Sequence, residues 1–134
     1  MIPIKDLRIG DLVKTTTRNP ILEKGSICKV VLIDALINSI IVQKNDVDVC
    51  RCLVKEEIEG IRLTPDILEK NGWEQEYYAP IIYGHIGHDI EISFLQTSKR
   101  CSVLLNDISL CEIQYVHQLQ HILWVLGEDA NLII

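Results

Sequence analysis

Over its first sixty residues the chain carries its apolar positions in short runs that read as strands. Leu12-Val13-Lys14-Thr15-Thr16 is β-favouring and follows the turn pair Gly10-Asp11. Ile27 to Ile33 (ICKVVLI) is almost wholly apolar and rich in β-branched residues, which predicts a strand buried on both faces. Ser39 to Gln43 and Val47 to Val54 flank Lys44-Asn45-Asp46, the pattern of a hairpin and its turn. Ile58 to Leu63 supplies a fifth strand. Five short strands without a helix or an aromatic residue predict a small, strongly bent barrel of SH3-like type, with an open antiparallel sheet as the alternative.

The pattern changes at Thr64-Pro65-Asp66, which reads as an N-cap, a proline at the first helical position and an acid near the positive helix end. Leu63 and Leu68 are placed to form a hydrophobic staple, and Gly72 to end the helix, so a short helix is expected from Pro65 to Asn71. Beyond it, Ile90, Ile92 and Phe94 alternate with Asp89, Glu91 and Ser93, a half-exposed strand. Tyr77 to Tyr83, Ser102 to Leu105 and Leu110 to Ile113 are further strand candidates, with Asn106-Asp107 as a turn. Tyr115 to Leu126 is helical and stops at Gly127. The expected fold is therefore α+β. A barrel-like unit spans residues 1–63, and an antiparallel sheet with one or two helices spans residues 64–134 and packs against it.

Charge sharpens that division. Residues 1–72 hold eleven basic and eleven acidic residues, whereas residues 73–134 hold two and eight, so the whole net charge of −6 sits in the second half. All seven aromatics and all four histidines lie there too. An acidic chain is a poor ligand for phosphate, so nucleic acid is an unlikely partner by charge. The basic residues of the first half, among them Arg8, Lys14, Lys29 and Arg51, are matched by acids and have no aromatic beside them for base stacking. The start MIPIKDLRIG lacks the basic residues and apolar run of a signal peptide, and no apolar stretch is long enough to span a bilayer. A cytoplasmic location and no membrane contact are expected. Five cysteines, Cys28, Cys50, Cys52, Cys101 and Cys111, with no CxxC spacing, fit reduced and mostly buried thiols.

Two segments, IEGIRLTPDILEKNGW (residues 58–73) and IQYVHQLQHILWVLGED (residues 113–129), together with Leu7 to Val13, resemble a family of small uncharacterised proteins from Bacteroides and relatives. Tyr115 to Gln120 is the most specific part of the likeness, and residues 74–110 match only loosely. The family carries no assigned activity, so the resemblance implies a bacterial intracellular protein, of mobile-element or phage origin, and transfers no catalytic residue.

Motifs that announce chemistry are missing: no phosphate loop, no G-x-G-x-x-G, no G-x-S-x-G and no H-E-x-x-H. Gly84-His85-Ile86-Gly87-His88-Asp89-Ile90-Glu91 offers two imidazoles and two carboxylates, but on one strand His85 and His88 face opposite sides unless the glycines bend the chain. The bland reading is a polar hairpin turn. His117 and His121 stand one helical turn apart, a spacing that suits a metal pair but lacks a nearby acid. No metal and no cofactor are assigned, and no catalytic residue is named.

The last helix carries the surface of interest. At about 100° per residue, Tyr115, Val116, Leu119, Ile122, Leu123 and Leu126 share the sector expected to pack on the sheet. Trp124 falls on the other side with His117, Gln120 and His121. These four are the expected interface, with Trp124 either covered by the first unit or anchoring a partner or a second copy. The function expected is non-catalytic protein interaction. A metal-dependent enzyme using the histidines and a nucleic-acid-binding module are the alternatives.

Overall fold

A computed structural model describes residues 2–16, 22–44, 50–95 and 98–134. The chain falls into two compact units, Met1–Ile61 and Arg62–Ile134. Both are built on antiparallel sheets, and the fold is mixed α+β.

The first unit holds β1 (Leu12–Thr15), β2 (Ile27–Asp34), β3 (Ser39–Gln43), β4 (Cys50–Val54) and β5 (Ile58–Gly60), in the order β4-β3-β2-β1-β5. Every ladder is antiparallel. Among the described residues no ladder joins β4 to β5, so the sheet is not a closed barrel. Asn45 and Asp46 of the expected turn, and residues 47–49 of the expected strand, lie outside the described residues. The two single turns of 3₁₀ helix, Ile4–Asp6 and Lys55–Glu57, were not expected. They are too short to leave a periodic signal, and the second is fixed by Glu57, whose carboxylate accepts from the Val54 amide at 2.9 Å.

The sheet buries one face. Val13, Cys28, Val30, Ile40, Val42, Leu53 and Ile58 form a core with Ile2, Ile4, Leu7 and Leu22. β2 corrects the expectation of a strand buried on both sides: Cys28 and Val30 are inside, but a bulge between Val30 and Leu32 leaves Leu32 exposed. An apolar run cannot distinguish a doubly buried strand from a one-sided strand with a bulge. Lys14 and Glu59 are direct partners across β1 and β5 and pair at 3.1 Å, but both are exposed. A surface pair of that kind contributes about 0–1 kcal/mol, so the apolar face and not the ion pair sets the register.

The second unit runs α1 (Pro65–Lys70), β6 (Trp73–Glu76), β7 (Ala79–His85), β8 (His88–Phe94), β9 (Cys101–Leu105), β10 (Ile108–Ile113) and α2 (Val116–Val125). Its sheet is an up-and-down meander, β10-β9-β8-β7-β6. One face is apolar and buried, with Trp73, Tyr83, Ile90, Ile92, Cys101 and Val103 on it. The turn at Asn106-Asp107 has both residues at positive φ, 50° and 64°, as a tight hairpin demands. Arg62 bridges to Tyr115, and the Leu63 amide donates to the Gln114 carbonyl at 3.0 Å, so the unit's first residues lie beside the chain between β10 and α2.

α1 is punctuated as its residues require. Thr64 Oγ1 accepts from the Ile67 amide at 3.4 Å, and Pro65 opens the helix. Gly72 stands at φ +83°. Strand β6, however, corrects the sequence reading, which opened the strands at Tyr77. Trp73-Glu74-Gln75-Glu76 pairs with β7, and Tyr77-Tyr78 form the turn between them. Two carboxylates in four residues hide this strand, yet they sit on a sheet edge, where charge guards against further pairing.

Gly72 gives the sharpest test of this geometry. A side chain there would occupy the left-handed region, and its Cβ would meet His85 Nε2 at 3.2 Å. Gly72→Val is expected to destabilise the second unit by about 1–2 kcal/mol or more, read as a lower denaturant midpoint at unchanged slope. An unchanged midpoint counts against a left-handed stop at this position.

Candidate functional site

Two places in the second unit hold the chemistry that the sequence singled out. The first is the β7–β8 hairpin. Because Ile86-Gly87 form a tight turn, His85 and His88 belong to different strands and face each other across the ladder. The expected hairpin turn is present, so the two rings do not take the opposite sides that a single strand would give them. Their rings stack, with centroids 4.6 Å apart and planes inclined by 10°. Trp73 covers both, at 4.7 Å from His88 and 5.5 Å from His85.

The two imidazoles are held in different ways. His85 Nδ1 accepts from the Gly87 amide at 2.9 Å, which fixes its hydrogen on Nε2 in the neutral ring. His88 Nδ1 is buried and has no hydrogen-bond partner among the described residues. Burial pushes the His88 pKa down, and the neighbouring His85 adds to the fall, while Glu128 and Asp89 oppose it.

A shallow groove of about 330 Å³ beside the pair is lined by Glu76, His85, His88, Asp89, Glu91 and Asp107, among others. Its carboxylates do not converge on the imidazoles. Glu91 accepts from the Tyr78 hydroxyl at 2.7 Å, and this bond, with burial and the charges of Glu91, Glu76 and Asp107, pushes the phenol up to about 12. The Glu76 carboxylate lies where a Cβ on Gly84 would stand. Among the described residues no three of His, Cys, Asp and Glu are arranged to hold a metal ion.

The second place is α2 and its flank. Tyr115 caps the helix, and Gln118 Oε1 accepts from the Tyr115 amide at 3.0 Å and the Gln114 amide at 2.7 Å. The C-terminal end is a Schellman turn: Gly127 stands at φ +75°, and the Glu128 amide donates to the Leu123 carbonyl at 2.8 Å. Val116, Leu119 and Leu123 are buried as expected, but so are His117 and Gln120.

His117 and Gln120, grouped with Trp124 by the helical projection, are thus buried while Trp124 is not. The packed face is turned by roughly 70° from the one the apolar residues suggested, most of one residue step. The cause is local pairing that hydrophobicity cannot report. Gln120 Nε2 donates to the Ala130 carbonyl at 3.1 Å, and the His117 ring stacks on Tyr115 at 5.8 Å. His121 is half-buried, with its ring 5.7 Å from that of His117, and Trp124 is 60 % exposed.

Leu126, placed by its periodicity on the packed face, is exposed instead, and Val125 beside it is 66 % exposed. They meet β10, the outermost strand of its sheet, which exposes Ile108 and Leu110. Leu110, Cys111, His121, Ile122, Val125 and Leu126 line a groove of about 290 Å³. Nothing in the sequence pattern marked β10 as an exposed strand.

Comparison with protein-family models, curated proteins and solved structures finds no match. No helix of the described residues is long and apolar enough to cross a membrane.

Burial pushes the Cys101 thiol up to about 11 and the Cys28 and Cys111 thiols up as well, so at neutral pH each stays a thiol. Cys52 and Cys111 are exposed, while Cys28 and Cys101 are buried. An aromatic disulfide reagent applied to the native chain is therefore expected to label Cys52 and Cys111 well before Cys28 and Cys101, with full labelling on unfolding. Peptide mapping that finds Cys101 among the fast thiols contradicts this packing.

Proposed function

We propose that the chain is a non-catalytic interaction protein and that its second unit binds a second copy of itself through β10 and the last turns of α2. The observation that carries this reading is the concentration of exposed apolar side chains there: Leu110 of the strand with Val125 and Leu126 at the helix end line one groove, and Ile108 and Trp124 are exposed on the same two elements. Large apolar residues clustered on a surface mark a contact, and tryptophan is enriched where binding energy concentrates.

A second copy is the occupant that the strand suits. An edge strand offers unpaired N–H and C=O groups, and two copies related by a two-fold axis satisfy them reciprocally. Antiparallel pairing centred between Leu110 and Cys111 sets Glu112 opposite Ser109, so no carboxylates face each other. The bulge between Ser109 and Cys111 shortens the ladder available to an incoming strand. The side chains of α2 therefore carry much of the contact.

The first unit and the protein's setting are read more coarsely. The order β4-β3-β2-β1-β5, with β1 between β2 and β5 and a 3₁₀ turn before β5, supports reading the first unit as SH3-like. The resemblance in Leu7–Val13, in residues 58–73 and in residues 113–129 supports placing the protein among small bacterial proteins of the cytoplasm. The net charge of −6 weighs against a nucleic-acid partner.

Sedimentation over a range of concentrations tests self-association. The chain is expected to pass from monomer to dimer as concentration rises. Trp124→Ala should weaken the dimer by about 2 kcal/mol, the loss typical of a central aromatic anchor. Leu110→Asp should weaken it further while changing monomer stability by no more than about 0.5 kcal/mol. A chain that remains monomeric throughout, or variants that dimerise as well as the parent, would overturn the proposal.

A further inference from the structure

We propose that the His85–His88 pair is an acid-operated latch: protonation parts the two stacked rings, opens the turn between β7 and β8, and uncovers Trp73. Each ring is held in a way that a second proton would disrupt. His85 receives a hydrogen bond at Nδ1 from the Gly87 amide. A proton on that nitrogen would set N–H against N–H across 2.9 Å, so a doubly protonated His85 cannot keep the turn as it stands. His88 Nδ1 is buried without a partner among the described residues, so a proton there would add a buried donor with no acceptor. Two charged rings with centroids 4.6 Å apart would also repel.

The lid over this arrangement is Trp73, buried and in contact with both rings. It comes directly after the left-handed Gly72, over which His85 Nε2 leaves no room for a side chain. A movement of the imidazoles is therefore transmitted to the junction of α1 with β6. The remaining charged groups around the pair are carboxylates: Asp89 on β8, Glu128 after α2, and Glu76, Glu91 and Asp107 in the adjoining groove. Asp89 and Glu128 favour the charged form of His88, but burial and His85 outweigh them.

Acid therefore works against the folded state. The unfolded chain takes up a proton on His88 near the ordinary value of 6.5, and the folded chain does so only at lower pH. The stability contributed by neutral His88 is complete well above 6.5 and falls as pH drops towards the folded value, because the unfolded state binds the proton first. Nothing in this device requires the dimer.

NMR of the full chain tests it. As pH falls from about 8 to about 5, the range in which imidazole gains its charge, the Trp73 indole resonance is expected to shift. Over the same range the Gly87 amide should lose its protection from exchange, and both changes should reverse at neutral pH. The His85→Phe, His88→Phe double variant keeps two stacked rings that cannot titrate, and it should show neither change. Should that variant not fold, the His88 ring signals of the parent decide. They must titrate below 6.5, in step with Trp73. A Trp73 signal that stays still while His88 titrates, or the same transition in the double variant, overturns the latch.

Discussion

The second unit depends on one backbone constraint, the left-handed turn at Gly72. α1 is only six residues long and cannot be stable by itself, so its end must be fixed by the residues after it. The stop reverses the chain and places Trp73 on the buried face of the sheet. Asn71 completes the junction: its side chain donates to the Ile67 and Ile133 carbonyls and accepts from the Ile133 amide, each at 2.7 Å. One amide side chain thus imitates a strand partner for the chain's last residues. The start of the sheet, the end of α1 and the C-terminal segment all meet within two residues of this turn.

The same junction explains how a neutral imidazole persists at His88 in a strongly acidic unit. Simple charge counting would expect a histidine here to be held positive by nearby carboxylates. Glu128 and Asp89 do favour the charged ring, but Asp89 is exposed to solvent. Solvent weakens a charge pair at the surface to about 1 kcal/mol or less, whereas burial penalises the charged ring without such screening. Burial outweighs the carboxylates, and the overall charge of the unit does not set the state of His88.

Much of this architecture was legible in the sequence where a signal was local. The cap at Thr64, the proline at 65, the stop at Gly72, the Asn106-Asp107 turn and the alternation through Ile90, Ile92 and Phe94 each report a requirement of a few adjacent residues. What was not legible depended on residues far apart in the chain. β6 looked polar because an edge strand tolerates glutamate. β7 began later than expected because Tyr77 and Tyr78, good strand formers, were needed for the turn. The hairpin turn at Ile86-Gly87 was legible, but that its two histidines would stack beneath Trp73 was not. Asn71 gave no sign that it would clasp residue Ile133.

The face of α2 shows why the candidate surface was the hardest part to read. A helical projection assigns the interior to the most apolar sector, which assumes that polar side chains seek water. Gln120 does not need to, because its side-chain amide finds the Ala130 carbonyl nearby in sequence. Once that amide is bonded its burial carries little cost, and the helix can turn to seat it, with the His117 ring stacked on Tyr115 beside it. Turning it brings Leu126 out of the interior, to line one groove with Val125 and with Leu110 of the outermost strand. The tail cannot fold back to cover them freely, since the Schellman turn redirects it and Gln120 and Asn71 hold it at Ala130 and Ile133. The exposed apolar patch thus follows from how the buried Gln120 amide is satisfied, and a substitution that released Gln120 would alter the patch without touching it.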